Sequence, residues 1–141
     1  MNRFISKKDF FLTVLKDRYP SAKAEIVGLP DHPEINGSVD FYATPLGVIL
    51  SAKIFCLPEG CGGDSCEFGF NIHEGARCSA HAGDLPSLVS SGGYAWLATL
   101  TGRFQIEDIK GKTIVIHSTA DGGEALSYGG SDGKIACGEI A

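Results

Sequence analysis

The chain has 141 residues, 43% of them hydrophobic and 21% charged, with a net charge of −5. That balance fits one globular domain with one core. The scattered Lys and Arg form no basic stripe, which argues against nucleic-acid binding, and no run approaches the roughly 18 apolar residues of a membrane span.

The first 20 residues, MNRFISKKDFFLTVLKDRYP, have charges interrupting every apolar run. They lack a signal-peptide core, so the expected location is cytoplasmic. They predict an amphipathic helix over 6–19: Phe10, Phe11, Val14 and Leu15 recur at helical spacing, Ser6 can cap the start with Asp9 three residues on, and Pro20 stops it. After that the hydrophobic period becomes two. In SVDFYAT, Val39, Phe41 and Ala43 share a face; in GVILSAKIF, Val48, Leu50, Ala52 and Ile54 do. Strand-like runs also occupy 23–28, 67–73, 94–100, 112–117 and 134–140, with a weaker one at 85–90. Gly, Pro, Asn and Asp clusters separate most of them. Seven or eight short strands with turn signals predict an all-β sandwich or barrel.

The four histidines are unevenly placed. In EFGFNIH, Phe68, Phe70 and Ile72 fall on one face, and Asn71 and His73 on the other. In KTIVIH, Ile114 and Ile116 oppose Thr113, Val115 and His117. Between these runs comes His81-Ala-Gly-Asp84, read as a turn. Three His and one Asp could converge on an outer face and bind zinc or copper, both of which accept imidazole. The plainer reading makes each a solvated or hydrogen-bonded surface residue. His32, in a loop between Asp31 and Pro33, is expected to be inert.

The five cysteines are Cys56, Cys61, Cys66, Cys78 and Cys137. In a reducing cytosol most are expected to stay free. Cys56, Cys61 and Cys66 are evenly spaced through a Gly-rich hairpin. They read as incidental thiols or one disulfide, with a soft-metal or redox-active loop as the sharper alternative.

Four segments in order, GFNIHEG (69–75), HAGDLPSL (81–88), TIVIHSTAD (113–121) and KIACGEI (134–140), resemble motifs of the copper/zinc superoxide dismutase family. The upstream GSVDFYATPLGVILSAKIFCLP resembles the N-terminal strands of bacterial members. The resemblance implies an eight-stranded Greek-key β-barrel over 22–141, preceded by a helical extension over 1–21. It implies copper and zinc as cofactors, superoxide as substrate and, since family members often dimerise, a possible homodimer; composition argues against a membrane or a nucleic acid as partner.

Residue by residue, the resemblance is partial. The family binds copper through four histidines. Asn71 stands where the first belongs, and His73 and His117 match two others. The histidine that bridges copper to zinc is missing, because only Ser79 and Ala80 separate Cys78 from His81. His81 and Asp84 match zinc ligands; another zinc histidine is lost with the bridge. Asp121 matches an aspartate that links copper and zinc histidines, and Lys134 a cation that guides superoxide. Cys78 and Cys137 match the family disulfide. The resemblance therefore implies incomplete metal sites. Three functions stay open: a dismutase of altered site, a copper- or zinc-binding protein without turnover, and a pseudoenzyme kept for a structural or partner role.

Overall fold

The computed structural model describes residues 6–74, 80–118 and 133–141, with the backbone alone at 74 and 80–84. The predicted helix is present as α1, Lys7–Asp17. The Ser6 side chain accepts a hydrogen bond from the Asp9 amide at 3.1 Å, satisfying a donor that a helix start leaves orphaned. Asp9 in the first turn and Lys16 in the last complement the helix dipole. The stripe of Phe10, Phe11, Val14 and Leu15 packs on Tyr42, Ile49 and Leu100, which point outward from the strands beneath.

The strands are β1 (Ala22–Gly28), β2 (Asn36–Thr44), β3 (Gly47–Phe55), β4 (Ser65–Glu74), β5 (Ala80–Asp84), β6 (Leu88–Ser91), β7 (Tyr94–Thr101), β8 (Thr113–His117) and β9 (Lys134–Glu139). Hydrogen bonding runs β4–β6–β7–β3–β2–β1–β9–β8, and β8 pairs back onto β4. These eight strands close into an antiparallel barrel, as the family resemblance implies. β3 and β4 follow each other in the chain but are not neighbours, since β6 and β7 lie between them. The connection over 56–64 therefore crosses one end of the barrel, the long return of a Greek key.

Alternation along each strand fills the interior. Ile26, Phe41, Leu50, Ile54, Phe70, Leu88, Ile114 and Ile116 are each at most 2% exposed. Burial of such side chains stabilises by about 1.5–3 kcal/mol each. A short helix α2, Ile106–Ile109, adds Ile106 and Ile109 to this core. Its four residues are too few to show a helical period in the sequence.

Three local expectations change. Ala43 is exposed although it shares parity with Val39 and Phe41. It sits at the end of β2, on a surface cleft also lined by Val48, Phe104 and Ile106. The segment read as a turn at 81–84 is strand β5, paired with β4 outside the closed ring. The cysteines do not mostly stay free: Cys61 is bonded to Cys66, and Cys137 is also disulfide-bonded. Among the described residues Cys56 is the free cysteine. Cys78, the family counterpart for Cys137, lies outside the described residues.

Candidate metal centre

The centre is built on the outward face of β4 and β8. The pairing sets Asn71 opposite Val115 and His73 opposite Thr113, while His117 lies opposite Gly69. By alternation these outward positions share one face, away from Phe70, Ile72, Ile114 and Ile116 in the core. The surface reading does not hold for His73 and His117. His73 is 3% exposed, His117 1%, Thr113 1% and Asn71 7%, yet none belongs to the apolar core clusters. Strand parity gives which side of the sheet a residue faces, and burial depends on what lies over that side.

The structure brings His73 and His117 together: their ring centres are 5.6 Å apart, with the planes tilted by 34°. That separation can be tested against a shared ion. Imidazole nitrogens bind copper or zinc at about 2.0–2.1 Å, which puts each ring centre ~3 Å from the metal. Two such rings subtending a wide angle have centres roughly 5–6 Å apart. The separation is that of two donors sharing one ion, and Asn71 on the same face carries a side-chain amide oxygen, a weaker donor.

The neighbouring strands bring the other matched positions to the same place in the backbone. β5 sets His81 opposite His73 and Asp84 opposite Asn71, across a bulge between Ile72 and His73. β9 sets Lys134 opposite His117, after a register shift at Ile116/His117. Lys134 is partly buried. Six matched positions thus lie on four adjacent strands, β5–β4–β8–β9. Asp121 lies outside the described residues. Among the described residues no group of three or more His, Cys, Asp or Glu side chains is placed to hold a metal.

Thr113 is a buried polar residue of this face that motif reading did not single out. It stands directly opposite His73, and its parity with His117 was the signal for it. His32 lies in the loop between β1 and β2. It shapes a loop by donating its amide to the Leu29 carbonyl, and its Nδ1 lies 4.0 Å from Glu34.

Most of the chain is similar to known proteins of one kind. Residues 61–140 match the family model described as copper/zinc superoxide dismutase. The chain is 34% identical over 128 residues to the superoxide dismutase (Cu-Zn) of Legionella pneumophila, covering 77% of this chain and 79% of that protein. A shorter match, 38% identical over 63 residues, joins it to the superoxide dismutase (Cu-Zn) of Photobacterium leiognathi, covering 43% of this chain and 36% of that one. A family match over more than half the sequence and a relative aligned along most of its length lead to one conclusion: the chain belongs to the copper/zinc superoxide dismutase family.

Proposed function

We propose that this protein is a copper-binding member of its family with a reduced metal site and weak or absent dismutase turnover. The observation that carries the reading is the buried His73–His117 pair, 5.6 Å apart, beside Asn71 where the family has a further imidazole. Bound copper would supply the one-electron cycling that superoxide dismutation needs. The chain's own share is ligation by His73 and His117, a weaker contact from Asn71, and attraction of the anion by Lys134. Two imidazoles and an amide suit Cu(I), which accepts low coordination, better than a closed tetrahedral zinc site.

On the zinc side, His81 and Asp84 are proposed as residual ligands and Asp121 as an orienting group. Two ligands on one short strand hold zinc weakly unless others join them. The Cys78–Cys137 disulfide is part of the same proposal. It is supported by Cys137 being disulfide-bonded while Cys61 is bonded to Cys66 and Cys56 is free. The helical extension over 1–21, a homodimer and a cytoplasmic location also stand as proposals. The disulfides pull against the last, because such bonds persist in oxidising compartments.

The second reading is metal binding without turnover. It is favoured by Asn71, since an amide replaces a ligand of the redox metal. One experiment separates the readings. The protein is loaded with copper or zinc, desalted, and assayed for metal content and superoxide decay. Bound copper with measurable decay supports a dismutase of altered site. Bound copper without decay supports storage or delivery. No metal above background ends both and leaves a structural or partner role.

A further inference from the structure

The β3–β4 crossing carries chemistry that the metal centre does not use. Cys56 follows the last residue of β3 as a free, exposed thiol. Its backbone φ is +63°, an uncommon conformation for a residue with a side chain. Cys61 is exposed and bonded to Cys66, which is 7% exposed near the start of β4. The bonded pair is 5 residues apart. Cys56 precedes Cys61 by the same interval, since 61 − 56 = 5. Cys61 is therefore the midpoint, and either bridge closes a loop of one size at a similar entropic cost.

The backbone around that midpoint has room to turn. Gly60 and Gly62 have φ of +89° and +97°, and a Cβ at either would meet nothing within 4 Å. The two ends, in contrast, are anchored at one place, the β6–β7 turn. Leu57 donates its amide to the Gly93 carbonyl at 2.9 Å. Gly93 has φ +83°, and a Cβ there would lie 3.8 Å from Cys56 Cα. Ser91, in the same turn, pairs with Ser65, and Ser90 pairs with Cys66. Cys56 and Cys66 are thus both tied to this turn, while a glycine-flanked Cys61 spans between them.

We propose that residues 56–66 form a thiol–disulfide exchange site in which Cys56 and Cys66 compete for Cys61. The Cys56 thiolate attacks the Cys61 sulfur. The Cys56–Cys61 bond forms, the Cys61–Cys66 bond breaks, and Cys66 leaves as a thiolate that takes up the proton Cys56 released. One disulfide and one thiol are present before and after, so no oxidant or reductant is needed. The nucleophile is the thiolate, so exchange speeds up as pH rises.

The test maps the free thiol. Folded protein is held without reductant at about pH 8, quenched in acid, alkylated with N-ethylmaleimide and analysed by peptide mass spectrometry. The expected result is label at both Cys56 and Cys66, with about a tenth of molecules or more labelled at Cys66. Label confined to Cys56 after prolonged incubation would overturn the proposal. In Cys56→Ser, Cys66 should carry no label; label there would show that its thiol arises by another route, against the proposal. Cys66→Ser treated with oxidised glutathione should form a Cys56–Cys61 bridge. Glutathione adducts on both cysteines without a bridge would sink the idea.

Discussion

Two outward faces of this barrel are buried, and they are buried in opposite ways. On the β2–β3 face, Tyr42 is 6% exposed and Ile49 is fully covered, both beneath the apolar stripe of α1. On the β4–β8 face the covered residues are Asn71, His73, Thr113 and His117, with one apolar side chain, Val115, among them. Outward positions on a closed barrel face solvent by default. Covering apolar ones stabilises the fold. Covering polar ones costs about 1–3 kcal/mol each unless each finds a partner. Burial alone therefore does not mark a site; several buried polar side chains gathered on one face do, where the β2–β3 face has only Ser51 among the described residues. The first face reads as architecture and the second as chemistry.

The strongest way to break this distinction is His117→Ala. Copper affinity should fall by at least about a hundredfold while the barrel still folds, measured by competition with a colorimetric chelator and by circular dichroism. Unchanged affinity would remove the β4–β8 face as the metal centre. The reverse substitution, Asn71→His, adds an imidazole where the chain has an amide. Copper affinity should then rise by about tenfold or more in the same competition. A drop would mean that Asn71 shapes the face in a way a larger ring disturbs.

The other face should respond in stability and not in metal. Val14→Asp puts a charge at a position only 1% exposed, against Tyr42 and Ile49. It should cost about 3 kcal/mol or more in denaturant unfolding, or release α1 from the barrel with loss of its helical signal. Copper affinity should not move. Ser6→Ala removes only the hydrogen bond to the Asp9 amide and should cost about 1 kcal/mol by the same measurement.

Much of this contrast is legible in the sequence. The α1 stripe and its Ser6 cap lie in plain spacing, and β3 begins and ends where alternation places it, at Gly47 and Phe55. β5 was hidden because Ala-His-Ala-Gly-Asp has too few apolar residues to show a period, and its pairing with β4 comes from tertiary context. The parity of His73 and His117 was readable, but their burial was not, because alternation says nothing about what covers a face. The bond between Cys61 and Cys66 was hidden for another reason. Even spacing of Cys56, Cys61 and Cys66 leaves the two shorter pairings equivalent until the backbone is placed.

Asp40 tests the distinction at its margin, for it is polar, outward and only partly covered. It sits on β2 opposite Lys23 and Ser51, two residues from Tyr42. Its Oδ1 is buried without a hydrogen-bond partner. Burial pushes its carboxyl above the ordinary 3.8, with Glu25 adding to the rise, while Lys23 and Lys53 pull it down. A raised carboxyl means that the folded state prefers the neutral form. Above the folded value the ionised group costs stability, and this cost fades as pH falls through that value toward 3.8. Asp40→Asn removes the charge at every pH. The variant should therefore melt higher than the parent at neutral pH, by less than about 3 °C, because solvent and both lysines screen the site. The gap should narrow as the pH approaches that ordinary carboxyl value. A gap of constant size would assign the gain to packing or hydrogen bonding of the amide. A variant that melts lower at neutral pH would show that the ionised carboxylate is wanted there, and Asp40 would then belong with the buried polar residues of the β4–β8 face as a group kept for use.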